Sequence, residues 1–221
     1  MIEAEKLKKS YNENVVLDIS SIKIKESQIV SICGPSGAGK TTLLSILGTL
    51  VKADNHKEQS LKILNQDVNK MSLNHLAKFR NKHLGFIFQF HELLDEFNVI
   101  ENIIIPGLIA NKEKKMLIKK ATEILKILNI VDLKFNNPKN ISGGEKQRVA
   151  VARSLINSPS IIFADEPSGN LDAKNADELH KLFFRLRDEF GQTFIIVTHN
   201  EKLSKISDKV LKLVDGKIQA R

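Results

Sequence analysis

The stretch that most restricts how this chain can fold runs Gly34-Pro35-Ser36-Gly37-Ala38-Gly39-Lys40-Thr41-Thr42. It fits G-x-x-x-x-G-K-[ST], the pattern of a loop that cradles phosphates. The glycines admit backbone conformations that a Cβ would forbid, so successive N–H groups can turn inward around an anion. Lys40 brings a mobile positive charge to the outer phosphates, and Thr41 offers a hydroxyl to a magnesium ion. Such a loop needs a strand before it and a helix after it. Gln28-Ile-Val-Ser-Ile-Cys33 reads as a buried strand, and Thr41 to Leu47 reads as a helix starting where the phosphates would sit. The expected fold class is therefore α/β, and nucleotide binding is the expected function.

Composition narrows the setting. A chain of 221 residues fits one large domain, or a core with a small insertion. An apolar share of 42% with 27% charged residues is ordinary for a soluble globular protein. The single cysteine, Cys33, excludes an internal disulfide and closes a buried strand, where core packing is its expected role. No apolar run is long enough to span a membrane, and Met1-Ile-Glu-Ala-Glu-Lys6 lacks the layout of a signal peptide, so neither secretion nor membrane spanning is expected. A net charge of +8 is compatible with nucleic acid, an anionic surface or solubility alone. The one dense basic group is Lys112, Lys114, Lys115, Lys119 and Lys120, and no aromatic residue alternates with it as a base-stacking surface requires. It reads as a solvated helix face, and no nucleic-acid partner is expected.

Along the chain, residues 1–27 read as short strands, with Ile22 and Ile24 alternating with Lys23 and Lys25. Tyr11, the only tyrosine, falls in a polar turn. Residues 51–60 read as a polar loop, with a short strand at Leu61 and Ile63 to follow. Ser72 can cap a helix reaching about Arg80, and Gly85 to Phe88 suits a buried strand. Gln89 follows at that strand's end, where open α/β sheets place their ligands. Residues 90–140 read as a helical insertion in a single domain whose core comprises about 1–89 and 141–221. Asn98 and Glu101 form a capping box opening a helix that Pro106-Gly107 should interrupt, and Leu117, Ala121, Ile124 and Leu128 recur at helical spacing. Gly143 and Gly144 open a further helix through about Leu155, a second site suited to an anion. The apolar run Ser160 to Ala164 ends in Asp165-Glu166, and buried adjacent carboxylates call for a metal ion. A last buried strand, Thr193 to Thr198, ends at His199, and the Asp215-Gly216 turn marks a closing hairpin.

Four strand ends thus carry Gly34–Thr41, Gln89, Asp165-Glu166 and His199. Together with Ile141-Ser-Gly-Gly-Glu-Lys-Gln-Arg148 and Asp165-Glu-Pro-Ser-Gly-Asn-Leu-Asp172, the set resembles the ABC-type ATPases over nearly the whole chain. That resemblance implies a phosphate-loop (RecA-like) core, an antiparallel β subdomain and a helical subdomain insertion. It implies ATP and magnesium as ligands. Lys40 and the loop amides would hold the β- and γ-phosphates, while Thr41, Asp165 and Gln89 would organise magnesium. Glu166 would orient and deprotonate the attacking water, and His199 would contact the γ-phosphate. Tyr11 falls where the family stacks an aromatic ring on adenine. Ser142, Gly143, Gly144 and Glu145, with Asp172, belong to segments that in such families meet nucleotide across a dimer. The implied partners are a second ATPase subunit sandwiching two ATP molecules and integral-membrane permease subunits, at the cytoplasmic face of the inner membrane.

Within the family, Phe86-Ile-Phe-Gln-Phe-His-Glu-Leu-Leu-Asp-Glu-Phe97, Val99-Ile-Glu-Asn102 and Ile105-Pro106 are similar to the lipoprotein-releasing ATPases of Gram-negative bacteria. Ser168 to Asp172 is wording shared with macrolide exporters and the cell-division ABC ATPase, which stand as alternatives. A DNA-maintenance ATPase is disfavoured, because residues 90–140 are too few for that class's coiled coil. Ile141 stands where leucine is usual, Asn98 where threonine is common, and residues 54–60 and Asn65 lack glycines common in that hairpin. Phe90, Leu93, Leu94, Phe97, Val99 and Ile100 are more apolar residues than one helix face buries, so some are expected to be exposed at the junction with the insertion.

Overall fold

A computed structural model of the chain describes residues 1–54 and 59–219. It begins with two strands, β1 (Ile2–Tyr11) and β2 (Asn14–Ile24), followed by β3 (Ile29–Cys33) and helix α1 (Lys40–Leu47). Next come β4 (Ser60–Ile63), β5 (Gln66–Asp67), α2 (Leu73–His83) and β6 (Leu84–Ile87). Three helices follow, α3 (Val99–Ile109), α4 (Lys114–Ile127) and α5 (Gly143–Leu155). The chain then alternates β7 (Ile161–Asp165), α6 (Ala173–Phe190), β8 (Thr193–Val197) and α7 (Glu201–Ile206) before the hairpin β9 (Lys209–Val214) and β10 (Lys217–Ile218).

Two sheets result. One is four-stranded and antiparallel, in the order β2-β1-β4-β5. The other is six-stranded, in the order β10-β9-β3-β8-β7-β6, parallel throughout except for the terminal hairpin. The difference comes from the sequence. β1 and β2 alternate apolar and polar, and Ile2, Ala4, Leu7, Leu17, Ile19, Ile22 and Ile24 face inward. β7 and β8 are continuous apolar runs, as strands covered on both faces must be. One core lies between the two sheets and takes in α1 and α2; the other lies on the far face of the parallel sheet, under α3 to α7.

Strand register places the chemistry. Ile32 pairs with Val197, Val197 with Asp165, and Ala164 with Ile87. The carboxyl ends of β3, β8, β7 and β6 are therefore level, and the residue or two after each end shares one edge of the sheet. This is the edge where parallel sheets hold their ligands.

Several local expectations change. Residues 1–27 form two long strands, of 10 and 11 residues, because Asn12 and Glu13 both adopt positive φ (46° and 69°) and close a tight hairpin. Tyr11 is the last residue of β1, paired with Asn14. Pro106-Gly107 does not interrupt α3. The Asn98–Glu101 capping box starts the helix, and Val99, Ile100, Ile103 and Ile104 bury one side of it. A proline this deep costs about 3 kcal/mol in an isolated helix. Here its carbonyl accepts from Asn81 Nδ2 and Asn157 Nδ2, both at 3.0 Å, and from the Ala110 N–H. Gly107 lets Leu117 of α4 approach so closely that a Cβ there would lie 2.3 Å from Leu117 Cδ2. Packing thus overrides the breaker. The basic cluster is not uniformly solvated either: Lys112 donates to Asn157 Oδ1 (2.8 Å) and half-buried Lys120 to Ser158 Oγ (2.6 Å), with burial pushing the Lys120 ammonium down. Cys33 is half-buried, its Sγ 2.7 Å from Ser204 Oγ.

The departures from the family pattern have local answers. Asn98 caps as threonine does, and Ile141 is buried. Leu64 and Asn65 take positive φ (52° and 62°), so asparagine occupies the left-handed position that glycine would otherwise fill. The expected loop 51–60 and the missing glycines of 54–60 fall in part on residues 55–58, outside the described residues.

Candidate nucleotide-binding site

The loop after β3 starts as the sequence requires. Gly37 and Gly39 have φ of 78° and 93°, in the region where a side chain is strained. Lys40 opens α1 and is buried, its Nζ donating to the carbonyls of Gly34 (3.1 Å) and Pro35 (2.9 Å). Gly34 follows β3 at φ 155°, and an added Cβ would lie 2.0 Å from the Leu213 carbonyl. Ala38 is buried beneath the loop, whereas Pro35 and Ser36 are exposed.

A cavity of about 360 Å³ lies over this loop. Its lining joins Ser36, Gly37, Gly39, Lys40, Thr41 and Thr42 to Gln89, Asp165, Glu166 and His199. The level strand ends bring these residues together from four separate segments. Val16 and Val197 complete the wall. Sequence reasoning missed both, because an apolar residue in a strand carries no signal beyond core.

Two carboxylates dominate the electrostatics. Asp165 Oδ1 accepts from Thr41 Oγ1 at 3.3 Å, and burial raises the Asp165 pKa against the opposing pull of Thr41 and Lys40. Glu166 lies one residue further, at φ 44°, a conformation a glutamate adopts only under constraint. Its N–H donates to the Val197 carbonyl (2.9 Å) and its own carbonyl accepts from Gly169 N–H (3.0 Å). Glu166 Oε2 accepts from the His199 backbone N–H at 3.2 Å. Oε1 lies 3.3 Å from His199 Nε2, yet the alignment is not that of a hydrogen bond, and it is a buried oxygen without a donor. Burial raises the Glu166 pKa, with the His199 N–H pulling the other way. A carboxylate with one oxygen held and the other unpartnered is suited to accept a proton.

The remaining expected residues lie elsewhere. Tyr11 is 48% exposed, with Lys9 Nζ 5.1 Å from its ring centre, and is not in the cavity lining. Ser142 caps α5 and forms a reciprocal box with Glu145, whose carboxyl is held below its usual range by that Ser142 hydrogen bond. Gly143 has open space on its side-chain face, and Gly144 looks toward Asn175. None of Ser142, Gly143, Gly144 or Glu145 lines the cavity of its own chain. Asp172 caps α6 by accepting from the Asn175 N–H (2.9 Å). One further contact has no sequence signal of its own: Asn170 Nδ2 donates to the Gln89 carbonyl (3.1 Å), tying the turn after β7 to the end of β6.

A glycine-lined loop with a buried lysine, between a parallel strand and a helix, with two carboxylates on a neighbouring strand, defines a phosphate-loop nucleoside triphosphatase. The family model described as ABC transporter matches residues 17–169. This chain belongs to the ABC transporter family and is an ATP-binding, ATP-hydrolysing cassette. Among its relatives, the lipoprotein-releasing system ATP-binding protein LolD of Bacteroides fragilis is 50% identical over 218 residues, 99% of this chain and 100% of that one. The protein of the same name from Porphyromonas gingivalis is 52% identical over 216 residues, covering 98% and 97%. Among solved structures, a dimeric post-hydrolysis state of the ATP-binding cassette MJ0796 bound to ADP and Pi superposes with a TM-score of 0.89 at 32% identity, covering 100% of this chain and 97% of that one. Among the described residues, no helix is long and apolar enough to cross a membrane.

Proposed function

We propose that this chain is the ATP-hydrolysing subunit of a membrane complex that releases lipoproteins, bound peripherally to permease subunits at the cytoplasmic face of the inner membrane. The observation that carries this reading is an identity near 50% to lipoprotein-releasing ATPases over essentially the full length of both chains.

In this reading the Gly34–Thr42 loop, with Pro35, Ser36, Ala38 and Thr42 as its frame, holds the phosphates by backbone N–H groups. Lys40 exchanges its two loop carbonyls for the β- and γ-phosphate oxygens. The oxygens of Asp165 and Thr41 are a hard-donor pair, and burial leaves Asp165 short of countercharge, so these residues fit magnesium. Among the described residues no group of three acidic, histidine or cysteine side chains could cage a metal. Magnesium would therefore be held by Asp165, Thr41 and the amide of Gln89, with phosphate oxygens and water completing its shell. Bound there, it neutralises charge on the transferring phosphate. Glu166 orients and takes the proton of the attacking water, and His199 holds its place against the γ-phosphate. Ser142, Gly143, Gly144 and Glu145 meet the nucleotide of a second copy, together with the Asp172 segment, giving a head-to-tail dimer. Tyr11, exposed outside the cavity lining, stacks on adenine.

Permease docking has support in the loop after Gln89. Phe90, Leu94 and Phe97 are 72%, 44% and 41% exposed, whereas Val99 and Ile100 are buried. Phe88, just before Gln89, and Glu92 of this loop line a cavity of about 450 Å³ with Leu50, Pro106 and Ile109. Exposed aromatic and aliphatic side chains beside a groove mark an interaction surface. Leu94→Glu and Phe97→Glu are expected to leave ATP hydrolysis by the isolated chain intact and to abolish its recovery with a permease from native membranes. Recovery of a lipoprotein-releasing permease with both folded variants overturns the docking surface; recovery of an exporter or cell-division permease with the parent overturns the assignment to lipoprotein release.

A further inference from the structure

The turn after Glu166 rests on a buried polar pair. Ser168 and His180 are 9% and 4% exposed, and His180 Nε2 lies 3.1 Å from Ser168 Oγ. His180 sits on the face of α6 that is otherwise apolar, beside Ala176, Leu179 and Phe183. A leucine or phenylalanine would satisfy the packing there. An imidazole has to surrender hydration, which costs free energy unless it makes a bond. Burial pushes the His180 pKa down, opposed by Asp177 on its own helix and assisted by Lys202 of α7, which favours the neutral ring. A neutral imidazole offers one donor and one acceptor, and the serine hydroxyl can answer either.

What this pair holds is the strained part of the site. Glu166 remains at positive φ only if its surroundings fix it there. Gly169 N–H to the Glu166 carbonyl and Leu171 N–H to the Ser168 carbonyl (3.2 Å) close the turn. Asn170 links the turn to the Gln89 carbonyl. Every one of these bonds is local to the turn or made to another loop. The His180–Ser168 contact ties the turn to the buried face of α6, as the Glu166 N–H to the Val197 carbonyl ties its start to β8.

We propose that His180 is a positioning residue for ATP hydrolysis: by binding Ser168 Oγ it fixes the turn 166–171, and with it the directions of the Glu166 carboxylate and of Gln89. This rests on the reading of Glu166 as the base.

The test is steady-state hydrolysis by the full chain with ATP and magnesium. His180→Phe keeps ring volume without a polar atom, Ser168→Ala removes one oxygen, and His180→Gln restores an amide near the place of Nε2. A net hydrogen bond of this kind is worth about 1 kcal/mol, so each of the first two variants is expected to lower kcat about five- to tenfold. KM for ATP should stay within about twofold, since the phosphate loop is untouched. The double variant should be no slower than either single one, and His180→Gln should regain half or more of the loss. Singles within twofold of the parent, losses that multiply in the double variant, a change confined to KM, or His180→Gln as slow as His180→Phe each overturn the proposal. If His180→Phe fails to fold, the one-atom change Ser168→Ala carries the test. Glu166→Gln is run beside them: wild-type turnover in that variant defeats the base assignment, whereas its inactivity with active His180 variants defeats the positioning role alone.

Discussion

Glu166→Gln separates what this site gives to catalysis from what it costs the fold. The parent buries a carboxylate whose Oε1 has no hydrogen-bond donor, and that burial raises its pKa. A folded-state pKa above the unfolded one means the folded protein binds the proton more tightly. This group's contribution to stability is therefore full at acid pH, below the unfolded value, and is lost as pH rises through the folded value. Above that range the ionised Glu166 opposes folding. Glutamine has the same length and can still accept from the His199 N–H, but carries no charge. Its NH2 group, where Oε1 was, is unpartnered in turn, so the gain comes from the charge alone, which burial penalises more than a neutral polar group. The positive φ is common to parent and variant and cancels. Allowing for partial exposure, Glu166→Gln is expected to stabilise the isolated chain by about 1 kcal/mol at pH 7.5, a rise in Tm of about 2–4 °C for a domain of this size. The gain should shrink toward zero near pH 4, where the parent carboxyl is protonated. Turnover should fall by about 10²–10⁴ with loss of the base. Thermal unfolding of both chains at the two pH values, without nucleotide, reads the stability arm. A variant less stable than the parent at pH 7.5, or a gain that grows on acidification, refutes the reasoning.

The geometry sets three more outcomes. Lys40→Ala should weaken binding of ATP to its own chain at least tenfold by removing a charge-assisted contact, whereas Ser142→Arg, outside the cavity, should leave binding within about twofold and block the ATP-dependent dimer; titration with ATP and sizing with ATP and magnesium read the two effects. Asn102 is fully buried, with Oδ1 accepting from the Leu94 N–H (2.8 Å) and Nδ2 3.0 Å from the carbonyls of Leu94, Phe97 and Asn98, so Asn102→Ala should cost about 2–4 kcal/mol in denaturant unfolding and loosen the loop that exposes Leu94 and Phe97.

That the Gly34–Thr42 loop and the two carboxylates would meet at one edge of the sheet was legible from residue types and strand ends. Glycine before lysine, and acids ending an apolar strand, have little use outside a site that holds phosphate and metal. Strand and helix order was legible for the same reason: continuous apolar runs at β7 and β8, alternation from Ile22 to Lys25, and caps at Ser72 and Asn98 each have a local physical cause. What was not legible depended on distant partners. Pro106 reads as a breaker until Asn81, Asn157 and Leu117 are seen around it. His180 reads as one more residue of an amphipathic helix, since its meaning lies in Ser168, twelve positions earlier in another segment. Val16 gave no sign because its apolar side chain suits the hairpin as well as the cavity wall. The length of β1 and β2 turned on Asn12 and Glu13, of which only the first is a habitual turn residue.

Helix α5 has an end at each of two places that matter. Its first turn carries Ser142, Gly143 and Gly144, and its last carries Arg153, whose guanidinium donates to the carbonyls of His91 (2.6 Å) and Glu92 in the loop after Gln89. Thirteen helical residues make a rod about 20 Å long, stiff along its axis. Its apolar flank (Val149, Val151, Ala152) is fully buried in the core under the parallel sheet. On the proposed reading, movement of the glycines at one end would be carried along this helix to the carbonyls of His91 and Glu92. The nucleotide of the proposed partner copy and the proposed docking loop would then be joined by one helix.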